Sequence, residues 1–242
     1  MEPLGEVTVQ SGVLRIFDVG ALALVASGQI AEVPDVRIDG LPVDRPLRVV
    51  GERIAEGDLA GEWAAFRVLI SDAAPAGSRR VGEVVVDYAR VLFADSSVGQ
   101  HWKHEEAIDG RADFVFWGRD AEALAKAVSA PRLDHGTFGW VDRPVDEVVA
   151  AGAKVEQVKA TSGFKLATDF RPHSHHYQAL AAARASPVGA ASLDVGHLRV
   201  CLAFTGCGDG VFPVFAERDS TGSLCGVRVQ LLVDGDDAGP PS

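Results

Sequence analysis

"HLRVCLAFTGCGDGVFPVFAERDSTGSLCGVRVQLLV", His197 to Val233, contains three apolar runs and two turns, and from it the architecture can be read. The runs, "HLRVCLAFTG", "VFPVFAERD" and "SLCGVRVQLLV", are rich in Val, Leu, Phe and Cys and are joined by two short connections, "GCGDG" and "DSTG". Branched and aromatic residues suit a pleated, half-buried surface, and connections this short join antiparallel neighbours. The reading is a three-stranded β-meander. Gly206, Gly208, Asp209 and Gly210 form its first turn, with Asp209-Gly210 expected to supply the positive φ values a hairpin requires. Pro213 marks an edge position or a bulge, because proline has no N–H to give to a ladder.

The same loop lacks the context of a ligand cradle. A phosphate loop needs a lysine and a hydroxyl after its glycines and then a helix, whereas a strand follows here. Calcium wants about six to eight oxygens, and only Asp209, Glu217 and Asp219 lie near. Cys207 as a nucleophile would need a base and an environment that lowers its thiol pKa; the favoured reading is a small apolar residue filling an aromatic's space beside the turn.

Upstream, the period of two continues. "VTVQSGVLRIFDVGALAL", Val7 to Leu24, reads as a hairpin about Ser11-Gly12, and Asp39-Gly40 in "VRIDGLPV" is another turn. "GEWAAFRVLIS", Gly61 to Ser71, and "VGEVVVDYARVLFAD", Val81 to Asp95, read as an antiparallel pair. The middle of the chain changes to a helical pattern. Arg119 to Pro131 has Asp120 as N-cap; Asp142 to Gly152 has Asp142 as cap, Pro144 in the first turn and Gly152 as the stop. His176 to Pro187 is a third short helix, and Gln100 to Ile108 is a fourth candidate. The fold class is α+β, predominantly antiparallel sheet with three or four short helices in the middle and a C-terminal meander. One globular domain is expected over 1–234, with 235–242 a disordered acidic tail.

Composition narrows function. With 242 residues, 47% hydrophobic and 24% charged, the chain can bury a sizeable core as a soluble protein. A net charge of −11 and no basic stripe argue against nucleic acid. No apolar run is long enough for a membrane span, and the start lacks the pattern of a signal peptide. Three cysteines without close pairing fit reduced thiols in the cytoplasm. No pattern asks for a cofactor, and no oligomeric state is specified.

"TGCGDGVFPVFAERDSTG" resembles the C-terminal motif of the bacterial domain of unknown function 4241 family, through Thr205, Gly206, Gly208, Asp209, Gly210, Pro213, Asp219 and Gly222. "VVVDYARVLFADSSVGQHW" is similar to the family's tyrosine-alanine-arginine strand and following tryptophan. "HGTFGWVD", with Gly136, Phe138 and Asp142, and "SGVLRIFD" resemble two further segments. Cys207 stands where the family has an aromatic residue, and Phe212 where it has tyrosine. The resemblance implies a fold and brings no catalytic residue or cofactor.

"RPHSHHYQ" is the one cluster with ligand chemistry. On an extended strand His173 and His175 point the same way and could share a transition metal, with Asp169 or Asp209 completing the shell; a polar loop entering a helix explains the same residues. Asp142 and Asp18 could serve as bases, though a helix cap suffices for the former. The leading reading is a non-catalytic protein-binding domain, of immunity type given its acidity. The alternatives are a metal-dependent hydrolase or a small-ligand binder using the His173, His175 and Asp209 region.

Overall fold

The computed structural model describes residues 1–232; the expected acidic tail, 235–242, lies outside the described residues. The fold is α+β, mostly antiparallel sheet (42% strand, 21% helical), with four α-helices among the described residues and a C-terminal strand meander. The chain divides into two compact units, Met1–Trp102 with the chain from Ala179 onward, and Lys103–Gln178. No helix among the described residues is long and apolar enough to cross a membrane.

The first unit holds β1 (Glu2–Val7), β2 (Val13–Asp18), α1 (Ala21–Ala26), β3 (Asp35–Asp39), β4 (Leu47–Arg53), β5 (Trp63–Leu69), β6 (Gly77–Val86) and β7 (Arg90–Asp95). The second holds β8 (Arg111–Trp117), α2 (Ala121–Val128), β9 (Phe138–Pro144), α3 (Val145–Ser162) and β10 (Ala167–Pro172). The division falls inside α4 (His175–Ala185), after which β11 (Ala190–Val195), β12 (Leu198–Phe204), β13 (Gly210–Arg218) and β14 (Leu224–Gln230) complete the first unit.

Two sheets build the first unit, one in the order β1-β4-β5-β14-β13-β6 and one in the order β11-β12-β7-β2-β3. Alternation along β7 and β12 explains their layering. Val91, Phe93, Cys201 and Ala203 join the core with Phe66, Val68, Val214 and Val227 of the other sheet. Leu92, Ala94, Leu198, Val200 and Leu202 point the other way, against Leu22 of α1 and Ala179, Leu180 and Ala183 of α4. A strand covered on both faces reads as a continuous apolar run, which is why "RVLFA" and "VCLAF" show no polar alternation. At the centre Phe66 meets Phe93 edge-on, ring centroids 6.5 Å apart.

Several local expectations change. β13 and β14 form the expected hairpin, but β12 pairs with β11 and β7, so "TGCGDG" carries the chain from one sheet to the other. Gly206 (φ 76°) and Gly208 (φ 90°) take the positive φ values, not Asp209-Gly210. β1 pairs with β4 while β2 pairs with β3 and β7, so the strands flanking Ser11-Gly12 are not a hairpin. Val81–Asp95 breaks into β6 and β7 at a turn with Ala89 left-handed (φ 52°), and β5 pairs with β4 and β14 instead. Periodicity says which face of a strand is apolar; it does not say which strand lies alongside. Pro213 sits opposite Glu83 of β6, before the first β13–β14 pair at Val214, and a register shift follows at Val214/Phe215. This is the edge-and-bulge setting its missing N–H requires.

In the second unit β10-β8-β9 form an antiparallel sheet. Ala112, Phe114 and Phe116 of β8 pack against Leu124 and Val128 of α2 and Val148 and Val155 of α3. α3 does not stop at Gly152. A Cβ there would stand 2.9 Å from the Phe114 ring, so glycine serves close helix–strand packing, and the helix ends instead at left-handed Gly163. Gln100–Ile108 is not helical beyond the single 3-10 turn Val98–Gln100.

Candidate functional site

The polar centre of the second unit is built on Asp113. Its neighbours Ala112 and Phe114 face α2 and α3, so the alternation of β8 turns Asp113 to the opposite face, where it is 4% exposed. Between Ala112 and Phe114 the β8–β9 register slips, leaving Val141 and Asp142 opposite the single residue Asp113. That bulge puts Asp142 at φ 53° and aims its N–H at Asp113 Oδ1, 2.8 Å away. His173 Nε2 lies 3.0 Å from the same oxygen, and the Tyr177 hydroxyl donates to Oδ2 at 2.7 Å. On its far side His173 Nδ1 is 3.3 Å from Asp109 Oδ2, which also accepts from Gln178 Nε2 at 3.4 Å. The Tyr177 ring stacks on the imidazole at 4.3 Å and 9°.

Burial, then the hydrogen bond and charge of Asp113, pushes the Tyr177 phenol up to about 12. The Arg111 guanidinium, bonded to the carboxylate and carbonyl of Asp142, holds that carboxyl below its ordinary range. Asp142 is therefore not the helix cap expected of it. It is a bulge residue, and the N-cap position of α3 belongs to Pro144 with no side-chain cap. Asp120 does occupy the N-cap of α2, but its carboxylate accepts the Lys165 N–H at 2.8 Å instead of capping the helix.

His173 and His175 do not share an orientation, because the extended chain ends at Pro172 and α4 begins at His175. His175 exchanges two bonds with Lys103: its Nδ1 accepts the Lys103 N–H at 2.9 Å and its own N–H donates to the Lys103 carbonyl at 3.0 Å. Burial lowers the pKa of its imidazole. Asp169 pairs with Arg171 at 2.5 Å. Among the described residues no group of three or more His, Cys, Asp and Glu is arranged to hold a metal ion, and His173 has a carboxylate on each ring nitrogen. Asp209 belongs to the first unit.

There, Asp209 takes part in a second junction. Asp18, 3% exposed, accepts the N–H of Gly20 at 2.8 Å through Oδ1, and those of Asp87 and Tyr88 at 2.7 and 2.8 Å through Oδ2. Burial raises its pKa even so. Asp209 Oδ1 accepts the Ala89 N–H at 2.8 Å, Thr205 N–H donates to the Ala89 carbonyl at 3.0 Å, and Thr205 Oγ1 donates to the Gly208 carbonyl at 2.7 Å. A Cβ on Gly20 would meet the Tyr88 ring at 2.2 Å. Asp18, Tyr88-Ala89-Arg90, Thr205, Gly208 and Asp209 thus converge where the start of α1, the β6–β7 turn and the β12–β13 crossing meet. The Cys207 thiol nearby is exposed and shifted upward by burial of its sulfur, the reverse of an activated nucleophile.

Sequence reasoning singled out His173, Asp142, Asp18 and Asp209 but missed Asp109, Asp113, Arg111 and Tyr177. One signal was present. An aspartate inside the apolar run "ADFVFW" must find partners if it is buried.

The chain is thus an α+β protein of antiparallel sheets with two internally bonded polar junctions. No family model, no curated protein and no solved structure matches it.

Proposed function

We propose that this chain is a non-catalytic cytoplasmic protein that binds another protein through the β6–β13 end of its six-stranded sheet. The observation that carries this reading is the pair Val85 and Val211. They stand directly opposite in the β6–β13 register, 44% and 55% exposed, on the same face of the sheet. Tyr88, three residues beyond Val85, is 44% exposed. Exposed apolar side chains paired on one sheet face are the kind of surface that a partner covers. By contrast Asp18, Asp113 and His173 are buried and bonded within the fold, and the exposed Asp209 carboxylate is bonded to the Ala89 N–H.

A net charge of −11 favours a basic partner, and neutralisation of a basic toxin is the form of this function we propose. Membership of the domain of unknown function 4241 family belongs to the same proposal. It is supported by Asp18, Tyr88-Ala89-Arg90, Thr205 and Asp209, the motif residues that meet at one junction.

The test is affinity capture from the native host by the wild-type chain and by a Val85→Glu/Val211→Glu variant of unchanged melting temperature. A partner held by the first and lost by the second supports the reading. Identical recoveries from both overturn it.

A further inference from the structure

We infer that the face of the β10-β8-β9 sheet turned away from α2 and α3 carries, beside the Arg132–Thr137 loop, a binding site for a small zwitterion of the α-amino-acid class. On the side of β8 away from α2 and α3 lies a pocket of about 550 Å³, lined by Val115, Arg132, Leu133, Asp134, His135, Thr137, Val141 and Arg171. That volume falls in the range of small-molecule clefts, about 300–1,000 Å³. Its apolar part is Val115, 4% exposed, flanked by Leu133 and by Val141, 43% exposed.

The charged side chains around it differ in whether they have a partner in the protein. Arg171 is paired with Asp169 at 2.5 Å, and the Thr137 hydroxyl donates to the Asp134 carbonyl at 2.8 Å. Arg132 and Asp134 line the same pocket, carry opposite charge and are two residues apart. Among the described residues the Arg132 guanidinium and the Asp134 carboxylate, both exposed, have no ion-pair or hydrogen-bond partner in the protein and are open to an incoming ligand. A ligand with both charges can engage both groups, whereas one with a single charge engages only one. A zwitterion satisfies both, its carboxylate on the arginine fork and its ammonium on Asp134, with its side chain over Val115.

The loop is shaped for this. His135 (φ 55°) and Gly136 (φ 74°) are consecutive left-handed residues that turn the chain so that Arg132, Asp134 and His135 reach one pocket. Holding a histidine there is a local strain of the kind that clusters at ligand sites. The site lies in the second unit and does not depend on the Val85–Val211 surface of the first.

The test uses the full chain and L-leucine, L-phenylalanine and L-glutamate as probes in isothermal titration, with 4-methylpentanoate and isopentylamine as the single-charge analogues of leucine. At least one amino acid is expected to bind saturably. For leucine, each single-charge analogue should be weaker by about tenfold or more. Arg132→Ala and Asp134→Ala, both at exposed positions, should each weaken binding about tenfold with an unchanged melting temperature. No saturable heat from any of the three amino acids up to millimolar concentration overturns the site. So does equal binding of leucine and 4-methylpentanoate, or binding that survives both substitutions.

Discussion

Asp209 Oδ1 accepts the N–H of Ala89 at 2.8 Å, and Ala89 stands at φ 52°, a left-handed backbone that alanine adopts only under constraint. A carboxylate in the β12–β13 crossing therefore pins the turn between β6 and β7. Asp209→Ala is expected to lose about 1 kcal/mol of stability. In an Ala89→Gly background, where the strain is gone, the same change should cost less. Urea unfolding of the four proteins measures the coupling, and strict additivity would contradict the role given to Asp209.

Asp18 serves three backbone donors from a buried position. Asp18→Ala strands the N–H groups of Gly20, Asp87 and Tyr88, with an expected loss of about 3 kcal/mol, while Asp18→Asn keeps an acceptor and should lose less. Burial raises its folded pKa above the ordinary aspartate value of 3.8, so its contribution is fully present below that value and declines as pH rises through the folded pKa. Comparing the pH dependence of unfolding in the Asp18→Asn variant isolates that component.

Acid should weaken the second unit through His175. The folded imidazole is held below 6.5 and uses Nδ1 as an acceptor for Lys103 N–H, whereas the unfolded residue takes up its proton near 6.5. Stability from this group is present above pH 6.5 and is lost as pH falls through the lower folded pKa. His175→Asn keeps a side-chain acceptor without a titrating ring, and its melting temperature should fall less between neutral and mildly acidic pH. An identical slope for wild type and variant would remove His175 from the account.

The Tyr177 hydroxyl holds Asp113. Tyr177→Phe leaves one oxygen of a buried carboxylate short of a donor, an expected loss of about 1–2 kcal/mol in chemical denaturation. Because the phenol is raised to about 12, its contribution is present below pH 10.0 and is lost as pH climbs through about 12. The variant should lack that alkaline component.

Gly139 lies where β9 crosses β8 closely, and a Cβ there would stand 2.0 Å from the Phe114 carbonyl oxygen. Gly139→Ala should disrupt the β8–β9 pairing, read as loss of amide protection in 111–117 by hydrogen exchange. Gly163→Ala, which strains only the left-handed end of α3, should leave that protection in place.

The strand character of the chain's two ends, the helices of its middle, the β13–β14 hairpin and the unusual setting of Pro213 were legible in the residues, whereas the strands of the β10-β8-β9 sheet among those helices were not. These are local matters, written in side-chain period, turn chemistry and the missing N–H of proline. Which strands are neighbours was not legible, and it took the folded chain to put β1 and β2, and likewise β12 and β13, into different sheets. The two junctions show the same division. Asp18 and Asp209 are distant in the chain yet close on one turn, and Asp142 turned from an expected helix cap into a bulge residue because Asp113 and Arg111 of β8 offered it partners. Period fixes a residue's face; its partner across space is fixed by packing and by the need of every buried polar group to be bonded.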